Sequence, residues 1–247
     1  MWASWTLNWD EIREDIVIGS CPMTTADIDR IVAELEVTAM LSLQSDECRT
    51  HFQLDYDALR AHGKKHRLTM VNTPMLDFDP PDQRRHLAEA VRSLHELLAA
   101  GHRVYVHCTA GVNRAPLVVL GYMTFVEMQS PDLALAVLKE ARPGADPSME
   151  AYYGCRDDLT DILHDHILVR AYYLAEGSPR QDTASNWFEA ERDVLRGAFV
   201  NARFFHAAAW IHIVKPGQSL RSRNRCSTEL EQEHRSSGVV NNRLHAS

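Results

Sequence analysis

What the chain does without narrows its possibilities first. It has no uninterrupted apolar run of the roughly 18 residues that a bilayer-crossing helix needs, so no membrane partner is expected. Its first residues, M-W-A-S-W-T-L-N-W-D-E, lack the basic start and long apolar stretch of a secretory leader. Basic residues are the minority, 26 Lys and Arg against 34 Asp and Glu, for a formal net charge of −8. A field of that sign repels polyanions, which argues against a nucleic-acid partner. Cysteine is scarce, with five in 247 residues (Cys21, Cys48, Cys108, Cys155 and Cys226) and none at C-x-x-C spacing. An odd, unpaired set suits a reducing compartment, and the cytoplasm is the expected location. Thirteen histidines are present, yet no H-E-x-x-H pattern occurs, and neither a metal nor a cofactor is expected. His164-Asp165-His166 reads as a solvated helix end. The chain has 45% hydrophobic and 24% charged residues. It can therefore fold as one soluble domain with an appendage.

What is present centres on residues 104–116, V-Y-V-H-C-T-A-G-V-N-R-A-P. A short β-branched run ends at His107-Cys108, a loop follows, and Arg114 opens an apolar helix. A tight strand-to-helix loop turns successive backbone N–H groups into one small volume that suits an oxyanion. Gly111 permits the turn. A thiol at a helix N-terminus beside cations is acidified, so Cys108 is expected to be a thiolate nucleophile. Arg114 supplies a bidentate fork that lysine does not have. An isolated C-x5-R would more often be a structural cysteine with an unrelated arginine; strand, His107, glycine and helix in series displace that reading.

These residues resemble the signature loop of the cysteine-based dual-specificity phosphatases. Within that family they resemble the branch of laforin and the plant glucan phosphatases, where C-x-A-G-x-G-R-A-P is usual. The likeness extends over residues 10–165 through I-V-I-G-S-C-P-M-T-T-A-D-I-D-R-I (16–31), Leu41-Ser42-Leu43-Gln44, L-D-F-D-P (76–80) and Ala141-Arg142-Pro143. It implies that Cys108 forms a thiophosphate intermediate and that Asp77 protonates the leaving oxygen, with Asp79 the second choice. It implies phosphate binding by Thr109, Ala110, Gly111, Val112 and Asn113, support from His107, and substrate contact by Phe78. Two residues depart from the wider family. Asn113 replaces a glycine and is expected to crowd the pocket, while Ala115 replaces a Ser or Thr but is shared by the glucan branch.

Strand patterns at 16–18, 38–43, 68–74 and 104–106 alternate with helix patterns: one capped by Thr24-Thr25-Ala26-Asp27 with Ile28, Ile31, Val32 and Leu35 on its apolar face, and others at 54–62, 84–100, 117–126 and 131–141. The helix over 54–62 is expected to end at Gly63. This alternation predicts an α/β fold, a parallel-rich sheet flanked by helices, with the nucleophile at a strand's carboxyl end. Residues 166–200 resemble a short bacterial helical domain of unknown function and read as a helical hairpin with Tyr172, Leu174 and Trp187 packed inside. Residues 215–247 read as a disordered tail in which Arg221–Arg225 is a solvated basic patch. The expected substrate is a phosphorylated glucan, with Trp5, Trp9, Phe52 and Phe78 as stacking surfaces. A phosphoprotein is the alternative, and a silent phosphate-binding module the third reading.

Overall fold

The computed structural model describes residues 6–177 and 182–201; Trp5, Arg221–Arg225 and the tail expected over 215–247 lie outside them. Five strands form one sheet in the order β1-β2-β5-β3-β4. They are β1 (Trp9–Arg13), β2 (Ile16–Gly19), β3 (Ala39–Gln44), β4 (Thr69–Met75) and β5 (Val104–His107). The β1–β2 pair is antiparallel and the others are parallel. The edge strand β1 escapes pattern reading because W-D-E-I-R is mostly charged and buries only Ile12.

Strand side chains alternate between two apolar layers. Ile16, Ile18, Leu41, Leu43, Val104 and Val106 face the larger core, whereas Val17, Met40 and Tyr105 face the smaller one. The smaller core is closed by α1 (Thr25–Leu35), through Ile28, Ile31 and Leu35, and by Leu59 of α3 (Tyr56–Lys65). Thr24 starts α1 with a capping box: its side chain accepts from the Asp27 amide while Asp27 accepts from the Thr24 amide. The short α2 (Asp46–Phe52) links β3 to α3.

The larger core is covered by α4 (Pro80–Ala99) and α5 (Arg114–Gly121), which runs on through a π-helical turn (Tyr122–Val126). Behind them lie α6 (Pro131–Ala141), α7 (Met149–Ile162), α8 (His164–Gly177) and α9 (Thr183–Val200). The hairpin α8–α9 is seated on the helices that cover the larger core. Ala190, Val194, Leu195, Ala198 and Phe199 join the same apolar cluster as α4. The Phe125 ring stacks on Tyr152 at 5.3 Å and on Phe199 at 5.7 Å.

Three expectations are corrected. The helix expected over 54–62 runs over Tyr56–Lys65, because Asp55 caps it while the Leu54 amide closes α2 on the Arg49 carbonyl. Gly63 lies inside it, where an added Cβ would sit 2.5 Å from Met70 Sδ; the glycine serves close approach to β4 rather than termination. The helix expected from residue 84 starts at Pro80, since Asp79 caps it and two prolines occupy a first turn that leaves N–H groups unpaired in any case. In the hairpin, Leu174 and Trp187 pack against the core, but Tyr172 is 61% exposed.

Candidate active site

β5 delivers His107 and Cys108 to the carboxyl end of the sheet, and α5 opens at Arg114. Between them, the loop carbonyls are all engaged from outside. The Thr109 carbonyl accepts from the Cys21 amide at 2.9 Å and the Val112 carbonyl from the Asp146 amide at 2.7 Å. The Ala110 and Gly111 carbonyls accept from Arg142 at 3.0 and 2.7 Å. In a planar trans peptide the following N–H points opposite to its carbonyl. Four carbonyls turned out therefore turn the amides of Ala110, Gly111, Val112 and Asn113 inward, toward the Cys108 side. Gly111 has φ +70, and a Cβ there would lie 2.5 Å from the Gly19 carbonyl oxygen.

Arg114 is fully buried. Its Nη1 donates to the Met75 carbonyl at 3.0 Å and to Cys48 Sγ at 3.3 Å, and its Nη2 donates to Thr109 Oγ1 at 3.0 Å. Nη2 also meets Asp77 Oδ2 at 2.8 Å. The Nε is buried with no partner. The Nε/Nη2 edge is one of the two bidentate edges of a guanidinium, so this side chain keeps an anion-binding edge aimed into the site. Burial works against the charge on Arg114, but Cys108, Asp77 and Cys48 outweigh it and hold the guanidinium protonated.

The loop that carries Asp77 is tied to the loop between Cys108 and Arg114 by the first turn of α4. Asp82 Oδ2 accepts from the Leu76 amide at 2.7 Å. Gln83 Nε2 donates both to the Leu76 carbonyl at 3.1 Å and to Asn113 Oδ1 at 2.8 Å. Asp79 is committed to its cap, accepting from the Asp82 amide at 2.9 Å. Phe78 stands 75% exposed on left-handed backbone (φ 51) directly after Asp77. Trp9, expected to widen the aromatic surface, instead packs against the smaller core and carries the Arg30 guanidinium 4.7 Å from its ring centroid. Phe52 is half-buried, edge-on to His51 at 5.0 Å.

The expectation that Asn113 crowds the pocket is corrected. Its amide is held away by Gln83 and by its own donation to the Asp146 carbonyl at 2.8 Å. It braces the loop instead. His107 is buried, with Nδ1 3.0 Å from the Cys108 carbonyl, so Nδ1 carries the proton. Burial pushes its pKa down to about 4, which leaves a neutral ring that shapes the loop. Burial pushes the Cys21 thiol up to about 12, where it is inert. At Cys48, burial raises the pKa, but bonds from Ser45 and Arg114 outweigh it and the net direction is downward.

Sequence reasoning overlooked Asp82, Gln83 and Cys48, whose roles depend on loops meeting in space. Arg142 enters the sequence reading only as part of A-R-P; a basic residue just after the helix behind the loop is the signal that leads to it.

The catalytic-domain profile of the dual specificity phosphatases matches residues 20–152. The chain belongs to that family. It is 33% identical over 165 residues to the phosphoglucan phosphatase DSP4 (amyloplastic) of Castanea sativa, covering 66% of this chain and 44% of that protein. It is 31% identical over 130 residues to mouse laforin, covering 49% and 39%. The chain thus spans less than half the length of these relatives. Among solved structures, kinase associated phosphatase superposes with a TM-score of 0.52 at 15% identity, covering 67% of this chain and 99% of that one. PTPMT1 superposes with a TM-score of 0.51 at 21% identity, covering 67% and 99%. At such identities the likeness speaks for the fold. No helix among the described residues is long and apolar enough to cross a membrane.

Proposed function

We propose that this chain is a cysteine-dependent phosphomonoesterase acting on phosphorylated glucan. The observation that carries the chemistry is the anion cradle: four inward amides and the Nε/Nη2 edge of Arg114 around Cys108. In the first step, Cys108 Sγ attacks phosphorus. An S–P bond forms, the bond to the leaving oxygen breaks, and Asp77 gives that oxygen its proton. A phosphoryl group entering the cradle takes over Nη2 and displaces Asp77 from it, and Asp77 acts in this step as the neutral acid that the second step regenerates. In the second step, ionised Asp77 takes a proton from water as the water oxygen attacks phosphorus and Sγ departs. The cradle holds the equatorial oxygens throughout, which is most of what phosphoryl transfer asks of a protein.

The glucan assignment is supported by the likeness to the phosphoglucan phosphatase of Castanea sativa and by the open Phe78 ring beside Asp77, a face on which a sugar ring can stack. The test compares phosphate release from a phosphorylated glucan, phosphotyrosine and phosphoserine peptides, and an aryl phosphate. Release from the glucan at the highest kcat/KM is expected; preference for peptides overturns the substrate, and release from none of them overturns the activity. Cys108→Ser is expected to lower turnover at least about a thousandfold. Asp77→Asn is expected to lower it about 100- to 10,000-fold, least for a good aryl leaving group.

A further inference from the structure

On the helical layer away from the larger core, α1 and α3 bring three ligand-type side chains to one point. Asp29 Oδ1 lies 2.6 Å from His62 Nε2 and 2.7 Å from His66 Nε2, and the three ligand atoms all lie within 4.8 Å of one another. Among the described residues no other His, Cys, Asp or Glu trio converges in this way. His62 and His66 are four apart in H-G-K-K-H, so they share one face of α3, and His66 is its C-cap residue. The two rings stand 5.1 Å apart by centroid. We propose that Asp29, His62 and His66 form a binding site for a divalent transition ion of the zinc class, with water as the remaining ligand, clipping α1 to α3.

Two imidazoles and one carboxylate are a donor set that zinc-class ions take in tetrahedral geometry at about 2.0–2.2 Å per bond. Ligands on such a sphere stand about 3.3–3.5 Å apart, so Asp29 must withdraw from its present contacts by under about 1 Å. Its side chain is about half exposed at 51%, so it can do so. The i, i+4 histidine pair is a metal-binding spacing that searches for H-E-x-x-H or C-x-x-C pass over, and the third ligand is visible only when α1 packs on α3.

The test uses the full chain carrying Cys108→Ser, which removes the reactive thiol as a competing zinc ligand. Zinc titrated by calorimetry is expected to bind at one equivalent and to raise the melting temperature by about 5 °C or more at a hundredfold excess over its dissociation constant. Cobalt at the same site is expected to give the visible absorption of a four-coordinate nitrogen–oxygen set. His62→Ala with His66→Ala should abolish both effects, and Asp29→Asn, a near-isosteric change, should weaken binding at least tenfold. Undiminished zinc binding in these variants, or no binding in the parent, overturns the site. An equal shift with magnesium or calcium overturns the zinc-class assignment.

Discussion

Arg114 and Arg142 sit on opposite sides of one loop, and both are buried, yet they are used differently. Arg142, outside the ring, spends its donors on fixed partners: the Gly111 and Ala110 carbonyls, Asp10 at 2.6 Å and Asn8 Oδ1 at 2.7 Å. Arg114, inside, leaves Nε without a partner and lends Nη2 to the partly exposed Asp77 carboxylate. A buried donor left unpaired costs about 1–3 kcal/mol, and functional sites are where such costs are tolerated. The outer arginine sets the shape and the inner one holds unspent binding capacity.

That contrast can be broken by changing each arginine to lysine, which keeps the charge and removes the fork. Arg114→Lys is expected to lower kcat about 100- to 1,000-fold, the loss typical for a donor aimed at developing charge. Arg142→Lys should instead lower unfolding stability by about 2–4 kcal/mol as buried carbonyl and carboxylate partners go unmet. Steady-state kinetics and denaturant melts on both variants decide the matter. Equal kinetic loss with no stability difference would erase the distinction.

The neutral ring of His107 sharpens the comparison through pH. Its folded pKa, pushed by burial to about 4 from 6.5, means that the unfolded chain takes up a proton first as pH falls. Its contribution is therefore complete above pH 6.5 and drains away between there and about 4, a loss of about 3 kcal/mol. Melts across that window should show the decline, and His107→Asn should flatten it. A slope unchanged by the substitution would place the titration elsewhere. The smallest effect belongs to Asn113→Ala. With its bonds to Gln83 and Asp146 gone, stability should fall by about 1–2 kcal/mol and kcat a few-fold. A rise in kcat would mean that the side chain obstructs the cradle after all.

Much of this molecule is readable one residue at a time. The parallel strands, the Thr24 capping box and the span of α6 follow from apolar periodicity and capping chemistry, which act over a few residues. The strand–Cys108–Gly111–Arg114 series is likewise local, since one loop makes the cradle. Reading failed where the reason for a residue lies far along the chain. Gly63 resembles a terminator until Met70 is seen beside it. Asp79 resembles an acid until it caps α4, and Asn113 resembles an obstruction until Gln83 takes hold of it.

By itself, then, the sequence determined the strand-to-helix loop that joins Cys108 to Arg114, because covalent neighbours and backbone sterics dictate that geometry without outside help. Only the tertiary structure decided which way the loop's peptides face, how the Asp77 loop is moored and which three side chains meet between α1 and α3. Those outcomes rest on hydrogen bonds between segments distant along the chain, such as Arg142 to Gly111 and Cys21 to Thr109, and such contacts exist only after the layers have packed.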